Sequence, residues 1–211
     1  MTKTYGFDTL QVHAGARPDP ATGAVVFVGN HPNSLIDPIL IITTCGRKVH
    51  FAAKDALFKG RLMRAVLGGL GAVPLARKVE HDGKPAPASP AAARDPAEMA
   101  RLNDAAFAQM FAVLDDGGTI GIFPEGLSHD ASQLARLKTG AARLALGSAA
   151  RAGAPRVVIP CGLTFIHPKR FRSRVLVQYG PPLAIAADPS PDAVRRVTDE
   201  IDQALRRLTI N

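Results

Sequence analysis

The stretch Val-Phe-Val-Gly-Asn-His-Pro-Asn-Ser-Leu-Ile-Asp-Pro, residues 26–38, opens on β-branched and aromatic side chains and then breaks into glycine, asparagine and proline. It reads as a buried strand running straight into a turn. The pattern recurs along the chain. Short apolar runs at 24–28, 49–53, 72–75, 119–123, 156–166 and 175–179 are separated by segments of helical spacing at 59–70, 97–114 and 140–152. Such alternation predicts an α/β fold with a mainly parallel central sheet flanked by helices, because parallel neighbours need crossovers. A stripe at Val194, Val197, Ile201, Leu205 and Leu208 predicts a last helix over 191–208.

A chain of 211 residues, 46% of them hydrophobic, can bury one substantial core. Residues 24–211 read as that domain. Residues 1–23, rich in turn formers, read as an irregular leader outside the core, and the Pro- and Ala-rich residues 83–96 as a surface loop within it. Cys45 and Cys161 stand far apart with no histidines clustered beside them, so neither a disulfide framework nor a metal site is expected. No apolar run approaches the ~18 to 20 residues that span a bilayer, and no secretion signal opens the chain, so a cytoplasmic setting is expected. A net charge of +8 favours an anionic partner. Nucleic acid is disfavoured: aromatic content is 5%, tryptophan is absent, and the basic residues are dispersed.

In open α/β sheets, ligands sit beyond the carboxyl ends of the strands, and His31 falls there. A neutral imidazole accepts a proton near pH 7, and a carboxylate on its other nitrogen stabilises the imidazolium that results. Asp37 is the nearest carboxylate in sequence. The same residues also read as a plain turn, with His31 and Asn33 leading into a helix that begins near Ser34. A second strand-to-turn cluster, Gly-Ile-Phe-Pro-Glu-Gly-Leu-Ser-His-Asp at 121–130, is followed by Leu-Lys-Thr-Gly at 137–140. Glu125 offers acceptors to substrate hydroxyls, while Lys138 and the helix N-terminus behind it favour a phosphate. The alternative makes Glu125 a helix-start carboxylate and Lys138 a solvated cation. Ser128, His129 and Asp130 are the residue types of a hydrolase triad, but adjacent residues cannot form that relay and no G-x-S-x-G turn is present.

Taken in order, these segments resemble the PlsC-type glycerolipid acyltransferases, the glycerol-3-phosphate and 1-acylglycerol-3-phosphate acyltransferase family. The resemblance runs from about Ala24 to the C-terminus and rests on four blocks: His31 with Asp37, Val73-Pro-Leu-Ala-Arg77, Phe123-Pro-Glu-Gly126 with Lys138-Thr-Gly140, and Val158-Ile-Pro160. It implies a glycerol-3-phosphate acyltransferase-like fold and an O-acyltransferase without a cofactor. The implied donor is acyl-CoA or acyl-carrier protein, and the implied acceptor glycerol-3-phosphate or a lysophospholipid. His31 would be the base and Asp37 its orienting partner. Arg77 and Lys138 would hold the acceptor's phosphate, and Glu125 with Gly126 its glycerol backbone.

Two features depart from the common family pattern. Five residues rather than four separate His31 from Asp37. On a regular helix such positions diverge by about 240°, so a contact between them requires an irregular start to the helix. Leu127-Ser128 also stands where many members have Thr-Arg.

Residues 57–67 combine Phe58, Leu62 and Met63 with Lys59, Arg61 and Arg64, which suits a helix lying on an anionic membrane surface at the inner face of the cell membrane, or equally a helix packed on the sheet. Residues 5–23 instead resemble the opening of O-acetylhomoserine sulfhydrylases; no cofactor or role for His13 is inferred from so short a segment. The rival to the enzyme is a non-catalytic lipid- or phosphate-binding module on the same fold.

Overall fold

The strand that opens the decisive stretch, β2 (Val25–Gly29), is buried at every position. Its side chains alternate between two cores, as a strand covered on both faces requires. Val26 and Val28 pack with Met110, Leu114, Leu144, Ile201 and Leu205 on one face. Val25 and Phe27 pack with Leu40, Ile41, Phe51, Ile159 and Tyr179 on the other.

The computed structural model describes residues 10–14, 23–54, 73–75, 96–129, 133–167 and 173–209. In chain order the remaining elements are β1 (Leu10–Ala14), α1 (Ile36–Thr44), β3 (His50–Lys54), β4 (Val73–Leu75), α2 (Pro96–Asp115), β5 (Thr119–Ile122), α3 (Gly140–Ala152), β6 (Arg156–Phe165), β7 (Val175–Tyr179), β8 (Leu183–Ile185) and α4 (Ala193–Leu208). The sheet order is β1-β7-β6-β2-β5-β3-β4, with β8 also paired to β6. The pairs of β2 with β5 and β6, β3 with β4 and β5, and β1 with β7 are parallel. Among the described residues the antiparallel pairs are those of β7 and β8 with β6, and β1 shares the direction of β7. The mainly parallel sheet expected from the sequence is thus present, with helices α2, α3 and α4 over one face and α1 over the other.

Leu10–Ala14 fall in the stretch expected to be irregular, yet form an edge strand parallel to β7. Leu10, Val12 and Ala14 alternate with polar residues, which is a strand period, and all five residues pair in parallel register with Val175–Tyr179 of β7. The expected helix at 59–70, the interfacial reading of 57–67, Arg77, and residues 83–95 of the expected loop lie outside the described residues; Pro96 already opens α2.

Pro160 sits in the middle of β6, where a missing N–H normally breaks a ladder. Here β8 pairs with residues 156–158 and β7 with residues 161–165, so the proline occupies the gap between the two antiparallel neighbours. Its carbonyl still accepts from Gly180 N–H at 2.9 Å. The Val-Ile-Pro block is therefore explained by strand architecture.

Helix α4 buries Ala193, Val197, Ile201 and Leu205, one residue per turn. Burial of the larger of these, Ile201 and Leu205, contributes about 1.5–3 kcal/mol each.

Gly121 in β5 lies beside Phe27 on one side and Phe51 on the other. A Cβ there would run into the Phe51 ring, so this strand position needs the smallest residue. Gly121→Ala is expected to destabilise the fold by about 1–3 kcal/mol through overpacking, lowering the denaturant midpoint at an unchanged slope. An unchanged midpoint would mean that Phe51 has room to swing aside.

Candidate active site

Strands β2 and β5 are parallel neighbours in the register Val28↔Ile122. Their carboxyl ends leave the sheet at the same edge, and the loops that follow carry His31 and Glu125. This is the position at which open α/β sheets build ligand sites.

The chain turns sharply between His31 and α1. Ser34 has φ 44°, and Ile36 N–H donates to the Asn33 carbonyl at 2.9 Å. Left-handed backbone at a non-glycine residue is uncommon. Here it reverses the chain so that His31 stands outside the helix while Asp37 sits in its first turn. Pro38 follows at a position where a missing N–H costs nothing. The five-residue spacing thus ceases to matter: His31 Nδ1 and Asp37 Oδ2 are 2.8 Å apart.

Asp37 starts the inward stripe of α1, Asp37, Leu40, Ile41 and Thr44, and is fully buried. Its Oδ2 also accepts the Asn33 N–H at 2.7 Å, while Oδ1 has no hydrogen-bond partner among the described residues. Burial pushes its carboxyl above the ordinary aspartate value, against the pull of His31 and the Asn33 amide. With Asp37 ionised, Nδ1 of His31 carries the hydrogen and Nε2 keeps its lone pair. That is the tautomer a general base needs.

The His31 ring is also held from its face. It stacks on Phe123 with centroids 4.2 Å apart and planes 7° from parallel, and Phe123 in turn stacks on Phe51 at 5.4 Å. Asn30, one residue earlier, clamps the chain to β6. Its Nδ2 donates to the Leu163 carbonyl at 2.9 Å and its Oδ1 accepts the Leu163 N–H at 2.7 Å. The side-chain amide thereby prolongs the β2–β6 ladder just where the backbone of β2 departs. Phe123 and Asn30 are the positioning residues that sequence reasoning missed. Their signal was only their adjacency to Pro124-Glu125 and to His31.

Phe123-Pro124-Glu125-Gly126 is a β-turn closed by Gly126 N–H to the Phe123 carbonyl at 3.2 Å, with Pro124 at the position that favours its fixed φ. Gly126 has φ 81°, and the Lys138 side chain lies so close over it that a Cβ would stand 2.8 Å from Nζ. Lys138 N–H donates to the Pro124 carbonyl at 2.8 Å, and its side chain is exposed just before α3 begins. Glu125 is 3% exposed. Its Oε1 accepts His31 N–H at 2.8 Å, and its Oε2 accepts Ala135 N–H at 2.8 Å and meets His129 Nε2. The carboxylate expected to face substrate hydroxyls is therefore engaged as a brace between the two loops. The structure brings together His31, Asp37, Glu125, Gly126 and Lys138; Arg77 lies outside the described residues. Among the described residues no cluster of His, Cys, Asp or Glu could hold a metal ion.

A mostly parallel α/β sheet with a buried aspartate hydrogen-bonded to a histidine at its strand ends defines the class: an α/β protein that sets a histidine–aspartate pair where such sheets bind ligands. The family follows from the sequence: residues 11–164 match the family described as Acyltransferase, and the chain belongs to it. The match begins inside the segment that resembles O-acetylhomoserine sulfhydrylases. Over 112 residues the chain is 37% identical to glycerol-3-phosphate O-acyltransferase 1 of Saccharomyces cerevisiae, covering 48% of this chain and 15% of that protein. Over 117 residues it is 36% identical to glycerol-3-phosphate O-acyltransferase 2 of the same yeast, covering 52% of this chain and 16% of that one. The matched region thus spans 15–16% of the yeast proteins' length. The fold is that of the 1-acyl-sn-glycerophosphate (LPA) acyltransferase PlsC from Thermotoga maritima, with a TM-score of 0.60 at 18% identity over 96% of this chain and 73% of that one.

Two outcomes are expected. Glu125→Gln replaces one of two accepting oxygens with a donor that must face an amide N–H in either orientation. A loss of about 1–3 kcal/mol in unfolding free energy should follow, and unaltered stability would mean that the brace carries no load. For Asp37, the folded carboxyl ionises at higher pH than the unfolded one. Between those two values the unfolded state binds fewer protons, so stability falls as pH rises through the window. Asp37→Asn does not titrate there, so its stability relative to wild type should rise across the same window; a constant difference would contradict the raised value.

Proposed function

We propose that this protein transfers a fatty acyl group from a thioester, acyl-CoA or acyl-carrier protein, to a hydroxyl of glycerol-3-phosphate or lysophosphatidate in phospholipid biosynthesis. The single observation that carries this reading is the 2.8 Å contact of His31 with the buried Asp37 in a chain of the acyltransferase family. Nε2 of His31 takes the proton of the acceptor hydroxyl as its oxygen attacks the thioester carbonyl. The C–S bond then breaks, and the imidazolium returns the proton to the departing thiolate. Asp37 stabilises the imidazolium between these two transfers. Lys138, exposed before the N-terminus of α3, supplies positive charge for the acceptor's phosphate, and Arg77 of the Val-Pro-Leu-Ala-Arg block serves the same end. Gly126 leaves the space through which Lys138 crosses the turn. Glu125 enters the reaction through the main chain of His31, whose N–H it holds.

The acceptor's source favours a peripheral position at the inner face of the cell membrane. A net charge of +8 supports attraction to an anionic lipid surface, and among the described residues no helix is long and apolar enough to cross a membrane.

The test is an acceptor screen with one acyl-CoA, read by thiol release and by product mass. Release should depend on glycerol-3-phosphate or a lysophospholipid, and His31→Ala should lower the rate by at least ~100-fold. Thiol release that ignores the acceptor would instead indicate a thioesterase. Lipid binding without release from any donor would indicate a non-catalytic module.

A further inference from the structure

Residues Ser128 and His129 have no role in the reaction as described, yet they strap across the His31 loop. Ser34 N–H donates to Ser128 Oγ at 2.9 Å, at the left-handed residue that reverses the chain. His129 N–H donates to the His31 carbonyl at 3.1 Å. On the other side of the same residue, the His31 N–H is held by Glu125 Oε1 at 2.8 Å. Glu125 Oε2 pairs with the imidazole Nε2 of His129. Both main-chain polar groups of His31 therefore end on the 125–129 segment, and His129 closes the circuit from both sides. It bonds one end of His31 directly and secures the carboxylate that bonds the other.

The ring of His129 is 19% exposed, and its Nδ1 is buried with no hydrogen-bond partner among the described residues. A buried N–H without an acceptor is costly, whereas a bare lone pair costs less. The Nε2–H tautomer, donating to Glu125, therefore fits this environment. Fixed in that form, His129 spends its one hydrogen on the brace.

We propose that His129 is a positioning residue for acyl transfer. It acts through Glu125 and the backbone of His31 to keep the His31 ring stacked on Phe123 and bonded to Asp37. The proposal rests on the acyl-transfer reading of the site. It predicts an effect on turnover with no direct contact to either substrate, because small displacements of a base from its working geometry cost large factors in rate.

The test compares His129→Ala and His129→Gln in the full chain, since Gln carries an N–H near the position of Nε2. His129→Ala is expected to lower kcat by ~10- to 100-fold with the acceptor KM changed less than about twofold, and His129→Gln to recover most of the loss. Wild-type kcat in His129→Ala overturns the proposal. So does a raised acceptor KM at unchanged kcat, which would make His129 a substrate contact. So does a loss that tracks the folded fraction and is not recovered by Gln. A readout independent of turnover separates this proposal from the reaction itself. In the wild type, the imidazole nitrogen spectrum should report a single His31 tautomer protonated at Nδ1, and in His129→Ala a mixture. Tautomer populations that do not change on substitution overturn the positioning role, even if no acyl acceptor is found.

Discussion

The parallel register of β2 against β5 is the constraint on which the site depends. With Val28 opposite Ile122, three residues on from each member of that pair bring His31 beside Glu125. A carboxylate that has left water must find donors, and Glu125 finds them on both loops: the N–H groups of His31 and Ala135 and the ring of His129. The brace thus follows from sheet pairing together with the cost of burying an acid. Without that register the same residue types would still end their strands, but they would not meet.

Stability and chemistry make opposite demands on Asp37. A fully buried carboxylate with one oxygen unpartnered among the described residues is a poor contributor to the fold, and burial raises the pH at which it ionises. Its ionised form is the one that stabilises an imidazolium at His31. The compensation lies around it, in the aliphatic stripe of Leu40 and Ile41 that anchors α1 and in the Asn33 amide that shares Oδ2 with the histidine. An uncharged residue would suit the fold and, under the proposed reaction, defeat the base, a form of the trade-off common at active sites.

The strands with long apolar runs were legible in the sequence, and so were α2, α3 and α4, because hydrophobic periodicity writes burial directly into residue order. β8, three residues long, is too short to display a period, and β1 lies among turn formers that mask its alternation. At the site, His31 and Asp37 were legible as a pair. The means of their contact was not: a left-handed φ at Ser34 is a backbone property that no residue type there announces. Glu125 was visible as a carboxylate, but which donors it meets depends on which loops the sheet sets side by side. Phe123 and Asn30 escaped for the same reason, since a ring stack and an amide clamp on Leu163 exist only between segments far apart in sequence.

The histidine and its aspartate are six residues apart, whereas the histidine and its glutamate brace are separated by 94. The two contacts therefore make different demands on the chain. A local turn brings the dyad together at little entropic cost, but the platform that holds it appears only once β2 and β5 have paired across the intervening β3, β4 and α2. Competence at this site is accordingly a property of the whole sheet. A chain in which β2 and β5 have not paired lacks the ring that His31 stacks on, the acid that fixes its backbone and the hydroxyl that holds the turn at Ser34.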